Sequence, residues 1–172
     1  FTGNELAIFL SKRGYRISEL NNVSVLNLDA YTTRDIAMDD LLIKTISNKE
    51  LEDWAKTVAV GFGCLEAQEQ FVCYARAKGV TAFGVYQADK LIAGATVAVH
   101  GEFCDLGVTS TLPAYRGRGL QKKLITARLN YVKSQGLRWA IVTTEPGSIS
   151  DLNVQKQGFH CAYTRIKMTL IN

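Results

Sequence analysis

Two apolar rhythms run along this chain. Between residues 80 and 111, the runs "VTAFGVYQ", "KLIAGATVAVH" and "EFCDLGVTST" are punctuated by Ala88-Asp89 and Gly101-Glu102, which predicts three strands in hairpin-like succession. From residue 120 the spacing lengthens. Leu120, Leu124, Ala127 and Tyr131 recur at helical intervals, Ile125, Leu129 and Val132 widen the stripe, and Gly136 ends it. "RWAIVTT" then reads as a short buried strand, followed by a helix over about 148–157 that stops at Gly158. "FHCAYTRIKMTLI" supplies the last strand or strands. Upstream, "LLIKTI" (41–46) predicts a strand, and Ser47 with Glu50 three residues on marks a capped helix start. "LEAQEQFVCYARAKG" predicts a second helix closed by Gly79. The order from residue 40 is β-α-α-β-β-β-α-β-α-β, an α/β layered fold with a mixed central sheet flanked by helices.

The first thirty residues stand apart as a helix (4–13) and a strand or two (15–28), an amino-terminal appendage to a main domain over 40–172. They also echo the end of the chain. Lys12, Gly14 and Tyr15 match Lys156, Gly158 and Phe159, each set following a helix and preceding a strand. On that match, residues 1–30 read as the tail of a degenerate upstream copy of the same domain.

Composition narrows the class. The chain has 172 residues, 47% of them hydrophobic, enough for one good core. Its apolar runs are strand-sized, so no membrane span is expected. It begins at Phe1 with no basic-then-apolar leader, so no signal peptide is expected, and it reads as a fragment or processed chain of cytoplasmic location. Cys64, Cys73, Cys104 and Cys161 lie far apart, with no CxxC pair, which predicts reduced thiols and no metal site.

Charge changes the picture more. The net charge is only +4, yet residues 106–144 hold no acid and seven bases: Arg116, Arg118, Lys122, Lys123, Arg128, Lys133 and Arg138. The remainder carries 13 of the 20 bases against all 16 acids, so the positive excess belongs to this span. Within it, "LPAYRGRGLQKKL" runs from a proline stop through Arg-Gly-Arg-Gly into a helix. Glycines let backbone approach a ligand, and the helix start adds unpaired N–H groups, a combination suited to phosphate oxygens. No GxxxxGK[ST] loop is present, and a dinucleotide fingerprint fails because Lys122 stands near its third glycine. Nucleic-acid binding fits poorly, since the bases cluster at one helix start and no recognised motif accompanies them.

"RGRGLQ" (116–121) resembles the (Q/R)xxGx(G/A) motif of the GCN5-related N-acetyltransferase (GNAT) superfamily, and "PGSISDLNVQKQGF" (146–159) resembles its Ser-x-x-Asn and Gly-Phe signature. The resemblance covers about residues 40–171. It implies an acyltransferase that uses acetyl-CoA as co-substrate and an amine acceptor, with no metal, no nucleic-acid or membrane partner, and a homodimer left open. By position it implies a diphosphate cradle from Arg116, Gly117, Arg118, Gly119, Leu120 and Gln121, and a pantetheine-pairing edge over Thr109, Ser110 and Thr111. It further implies an N–H near Thr109 on the thioester carbonyl, Asn153 on the pantetheine or diphosphate, and Asp105, with Glu102 as a second candidate, as general base. Two departures stand out. Gln121 occupies a position that is usually Gly or Ala, and Val154 replaces a tyrosine that in many members protonates the leaving thiolate. The competing reading is a non-catalytic module that keeps the CoA site as a binder or sensor.

Overall fold

The computed structural model describes residues 4–37 and 40–171. Helix α1 (Glu5–Ser11) leads into a long strand β1 (Tyr15–Asn27). Strand β2 (Leu41–Thr45), helices α2 (Leu51–Phe62) and α3 (Gln68–Ala75), strands β3 (Val80–Gln87), β4 (Lys90–His100), β5 (Phe103–Asp105) and β6 (Thr109–Thr111) follow. The chain ends with α4 (Leu120–Ser134), β7 (Trp139–Thr144), α5 (Ile149–Lys156) and β8 (His160–Leu170). The order from residue 40 is the one the periodicity predicts, with local differences. The stretch 103–111 is two strands because residues 106–108 leave the ladder. Helix α2 starts at Leu51, one turn later than a cap at Ser47 implies; Glu50 still accepts from the Ser47 amide (3.0 Å) and hydroxyl (2.7 Å).

The strands form one sheet in the order β2-β3-β4-β5-β7-β1-β8, with β6 also on β4. Neighbours are antiparallel except β5 and β7, which run parallel. Strand β1 is flanked on both sides, by β7 and β8. Alternation along the central strands sends Phe83 and Val85 to one face, under Leu124, Ile125, Leu129 and Phe159, and Ala82 to the other, under Trp54, Val58 and Val72. Helices α2 and α3 thus cover one face and α4 the other, in three layers.

What positions the site is the place where the sheet splits. β5 and β7 pair over only three residues, Phe103–Asp105 against Trp139–Ile141. The Leu106 amide makes one further bond to the Ile141 carbonyl (2.8 Å), and from there β6 stays with β4 while β7 continues with β1. The two halves of the sheet diverge and leave a V-shaped opening at its centre.

Candidate active site

One arm of the V is the edge of β6. The Val108 carbonyl accepts from Thr96 (2.8 Å) and the Leu112 amide donates to Ile92 (3.0 Å). Antiparallel alternation therefore turns the main-chain groups of Thr109 and Thr111 away from β4, toward the opening. Ser110 points to the opposite layer, its hydroxyl donating to the Val58 carbonyl (3.0 Å). Helix α2 lies so close here that a Cβ on Gly61 would come within 1.9 Å of the Ser110 hydroxyl, so only glycine fits.

Below the β6 edge lies a cleft of about 540 Å³ lined by Thr109, Ser110, Thr111, Arg116, Gly117, Gly119, Leu120, Gln121 and Asn153 among others. Gly117 and Gly119 are left-handed (φ +77° and +72°), and a Cβ on either would meet no atom of the protein within 4 Å. Packing does not demand these glycines; the turn that opens α4 does, and the space beside them is free for a ligand. Fifteen-residue α4 begins there and directs its unpaired N–H groups and positive dipole end toward the cleft. The two arginines of the turn are held by the protein itself, Arg116 in the cleft wall reaching the Thr111 carbonyl of the β6 edge (3.4 Å). Arg116 donates to the Gly61 carbonyl (2.6 Å), and Arg118 to Gln87 (3.1 Å) while lying over the Tyr115 ring.

A second cavity of about 430 Å³ adjoins the first and lies within the V itself. Its walls include Phe62, Asp105, Leu106, Gly107, Val108, Thr109, Arg128, Val142, Thr144 and Glu145. Burial lifts the Asp105 carboxyl above the usual carboxylate range, against the opposing pull of His100, Arg128 and Arg165. Cys104, its neighbour, is fully buried, and burial followed by the Asp105 charge pushes its thiol up to about 12. It stays protonated at neutral pH and is no nucleophile. Glu102 is not brought to the V. It sits at the β4–β5 hairpin, largely exposed, against Arg138 (3.7 Å).

A scan against family models matches residues 46–159 to the acetyltransferase (GNAT) family. The chain belongs to this family. Solved GNAT structures share the fold. They include a GCN5-related N-acetyltransferase from Sphaerobacter thermophilus (TM-score 0.79, 14% identity, 96% of this chain and 56% of that one). Another is from Kribbella flavida (0.68, 18%, 95% and 62%). A third is a tandem GNAT protein from the clavulanic acid biosynthesis pathway (0.71, 18%, 97% and 58%). The chain thus spans little more than half the length of these neighbours. No curated protein matches the sequence. Among the described residues, no helix is long and apolar enough to cross a membrane.

Within this GNAT cleft, both departures noted in the sequence have structural consequences. Val154 is 1% exposed and belongs to the core beneath α5. Gln121 lines both cavities and bridges them to α5, donating to Ser150 (2.8 Å) and accepting from Asn153 (2.7 Å). Asn153 therefore faces the cleft but is engaged by Gln121. Helix α5 is fixed in turn by Asp151, whose carboxylate accepts from Thr144 (2.8 Å), the Gly147 amide (3.0 Å) and Asn22 (3.3 Å), while Ser148 caps its start.

Two side chains near the V were missed in the sequence, Arg128 in its wall and Tyr74 beside Gly107. Arg128, fully buried, donates to the carbonyls of Thr96 (2.8 Å), Leu124 (3.1 Å) and Gly107 (3.5 Å), tying α4 to β4 and to the break between β5 and β6. Burial lowers its guanidinium to about 10, so it remains cationic at neutral pH. The signal was there: a base on the apolar stripe, four residues after Leu124 and three after Ile125. Tyr74 of α3 places its hydroxyl beside Gly107, 2.9 Å from where a Cβ would stand, and burial and then the Asp105 charge raise its phenol. Nothing in the one-dimensional pattern brings Tyr74 to Asp105.

Proposed function

We propose that the protein is an N-acetyltransferase that transfers acetyl from acetyl-CoA to a primary amine by direct attack. The observation that carries this reading is the pair of left-handed glycines opening α4 onto an unobstructed cleft that continues into the split of the sheet. Amides of residues 116–121 hold the diphosphate, aided by the positive end of α4. The outward edge at Thr109 and Thr111 pairs with the pantetheine arm as an added strand, which takes over the Thr111 carbonyl that Arg116 reaches at 3.4 Å. That pairing sets the thioester in the V, with the Thr109 N–H as a single donor to the developing oxyanion. Acetyl-CoA supplies the activated acyl group, and the protein supplies alignment and proton handling.

Asp105, its basicity raised by burial, takes the proton of the ammonium, directly or through one water. The Arg128 cation keeps part of that carboxylate ionised and fixes the backbone break that sets Thr109. With Val154 in the family's tyrosine position, no side chain there protonates the leaving thiolate, and solvent serves. The same substitution favours the second reading, a CoA-binding module without turnover. Thiol release from acetyl-CoA against a panel of primary amines tests both: amine-dependent release is expected, and saturable CoA binding with no release for any amine would establish the module instead.

A further inference from the structure

The pairing of β1 with β8 has an internal symmetry. Gly14 and Gly158, both left-handed, are 144 positions apart, and at the same offset α1 corresponds to α5 and β1 to β8. Applying this offset to the ladder maps it onto itself. Asn21 pairs with its own equivalent, Arg165. Leu20↔Ile166 exchanges with Asn22↔Thr164, Glu19↔Lys167 with Val23↔Tyr163, Ile17↔Met168 with Ser24↔Cys161, and Arg16↔Thr169 with Val25↔His160. The two register shifts, which skip Ser18 and Ala162, are also equivalents. Even the packing repeats: a Cβ on Gly14 would lie 3.6 Å from Leu170, and one on Gly158 3.5 Å from Leu26. A local two-fold axis passes through the Asn21–Arg165 pair.

The symmetry is broken by what each unit touches. Val154 of α5 and Leu26 of β1 pack into the main core. Helix α1 has no buried residue, and Leu170, the equivalent of Leu26, is 47% exposed. Strand β1 is covered on one edge by β7 and on the other by β8, whereas among the described residues β8 pairs only with β1. Ile8 and Leu20 add to the exposed apolar surface around that edge, as do Ile166 and Ile171.

We infer that this face docks a second, fold-related half supplied by polypeptide preceding residue 1, which completes the sheet across the two-fold axis. Strand β1 serves this domain between β7 and β8, and β8 serves the other half in the equivalent position. Because residues 22–27 of β1 pair with 139–144 of β7, residues 166–171 of β8 pair antiparallel with the counterpart of β7. The 144-residue offset places that counterpart in the six positions immediately before Phe1. A second copy of this chain is a poorer occupant, because its own β7 is already covered by β1.

The test is hydrogen exchange on the complete natural polypeptide beside residues 1–172 alone. The outward-facing amides among residues 166–171 are expected to exchange more than about 100-fold more slowly in the complete protein. Leu170→Asp in the complete protein should restore fast exchange there. In the 172-residue chain, whose cleft lies elsewhere, the same substitution should leave acetyl-CoA affinity within twofold. Equal exchange in both forms would overturn the inference, as would an open reading frame with no strand-forming segment before Phe1. Protection of β8 in a dimer of the 172-residue chain would assign the face to self-pairing instead.

Discussion

At one end of the cleft the groups around the open space are main-chain ones at Gly117 and Gly119, with the nearby arginine side chains committed to Gly61, Thr111 and Gln87. At the other end the wall carries side chains, Asp105 and the carbonyl-bound Arg128, with Tyr74 beside Gly107, gathered from a strand, a helix of one layer and a helix of the opposite layer. The first end is a local structure: a turn and a helix start encode it within about six residues. The second is a tertiary structure and exists only because the sheet splits after Asp105. Recognition of a phosphate needs little more than amides and φ > 0, whereas moving a proton needs a tuned environment assembled from distant parts of the chain.

Substitutions that separate the two ends sharpen this contrast. The largest effect is expected for Asp105→Asn. It should lower kcat by about 10²–10⁴-fold, a typical worth for a general base, while leaving the Kd for acetyl-CoA unchanged. In the wild type, log kcat/KM should rise with pH to a plateau, through an apparent pKa above the ordinary carboxylate range, and this limb should vanish in the variant. Stability should move oppositely. A carboxyl whose folded pKa is raised contributes stability that is present below the unfolded pKa and lost as pH rises through the folded value. Asp105→Asn should therefore raise Tm at neutral pH; a lowered Tm would show that the ionised carboxylate is a structural anchor.

Arg128→Met should come next. It leaves the Thr96 and Gly107 carbonyls short of a donor, at a cost of about 1–3 kcal/mol by thermal unfolding, offset in part by removing a buried charge. By loosening the break that sets Thr109, it should reduce kcat about 10-fold with little change in KM for acetyl-CoA. A variant with full activity would remove Arg128 from the account.

Gln121→Gly should have the smallest effect, and its direction is informative. Freeing Asn153 from Gln121 should tighten acetyl-CoA about 3- to 10-fold by calorimetry, the worth of about one hydrogen bond. Weaker binding would mean that Gln121 itself contacts the ligand.

The contrast also explains what was legible in the sequence. The element order from residue 40 followed from hydrophobic spacing together with turn and cap signals, because each strand and helix buries one face of its own. The glycine turn and the start of α4 were legible because their residues are contiguous. Asp105 was reached through its offset from a motif. Glu102 has a similar residue type and location in the chain, yet lies on the hairpin with Arg138, outside the V, a difference that only the backbone break at 106–108 decides. Tyr74 was invisible because its partner lies across the sheet. The Lys-x-Gly-aromatic echo was legible in the sequence, but the two-fold pairing of the two segments that carry it required the ladder register.

Calorimetric titration of acetyl-CoA into the wild type and Gly119→Trp, in low-phosphate buffer, tests the central claim most directly. The indole would project from a position where a Cβ meets nothing of the protein, and a side chain at φ +72° would strain the turn, so the substitution blocks and distorts the cradle while leaving the core untouched. The account predicts wild-type binding with a Kd on the order of micromolar. It predicts no measurable heat for Gly119→Trp, whose fold should remain intact by circular dichroism. Failure of the wild type to bind, or equal binding by the folded variant, would contradict it.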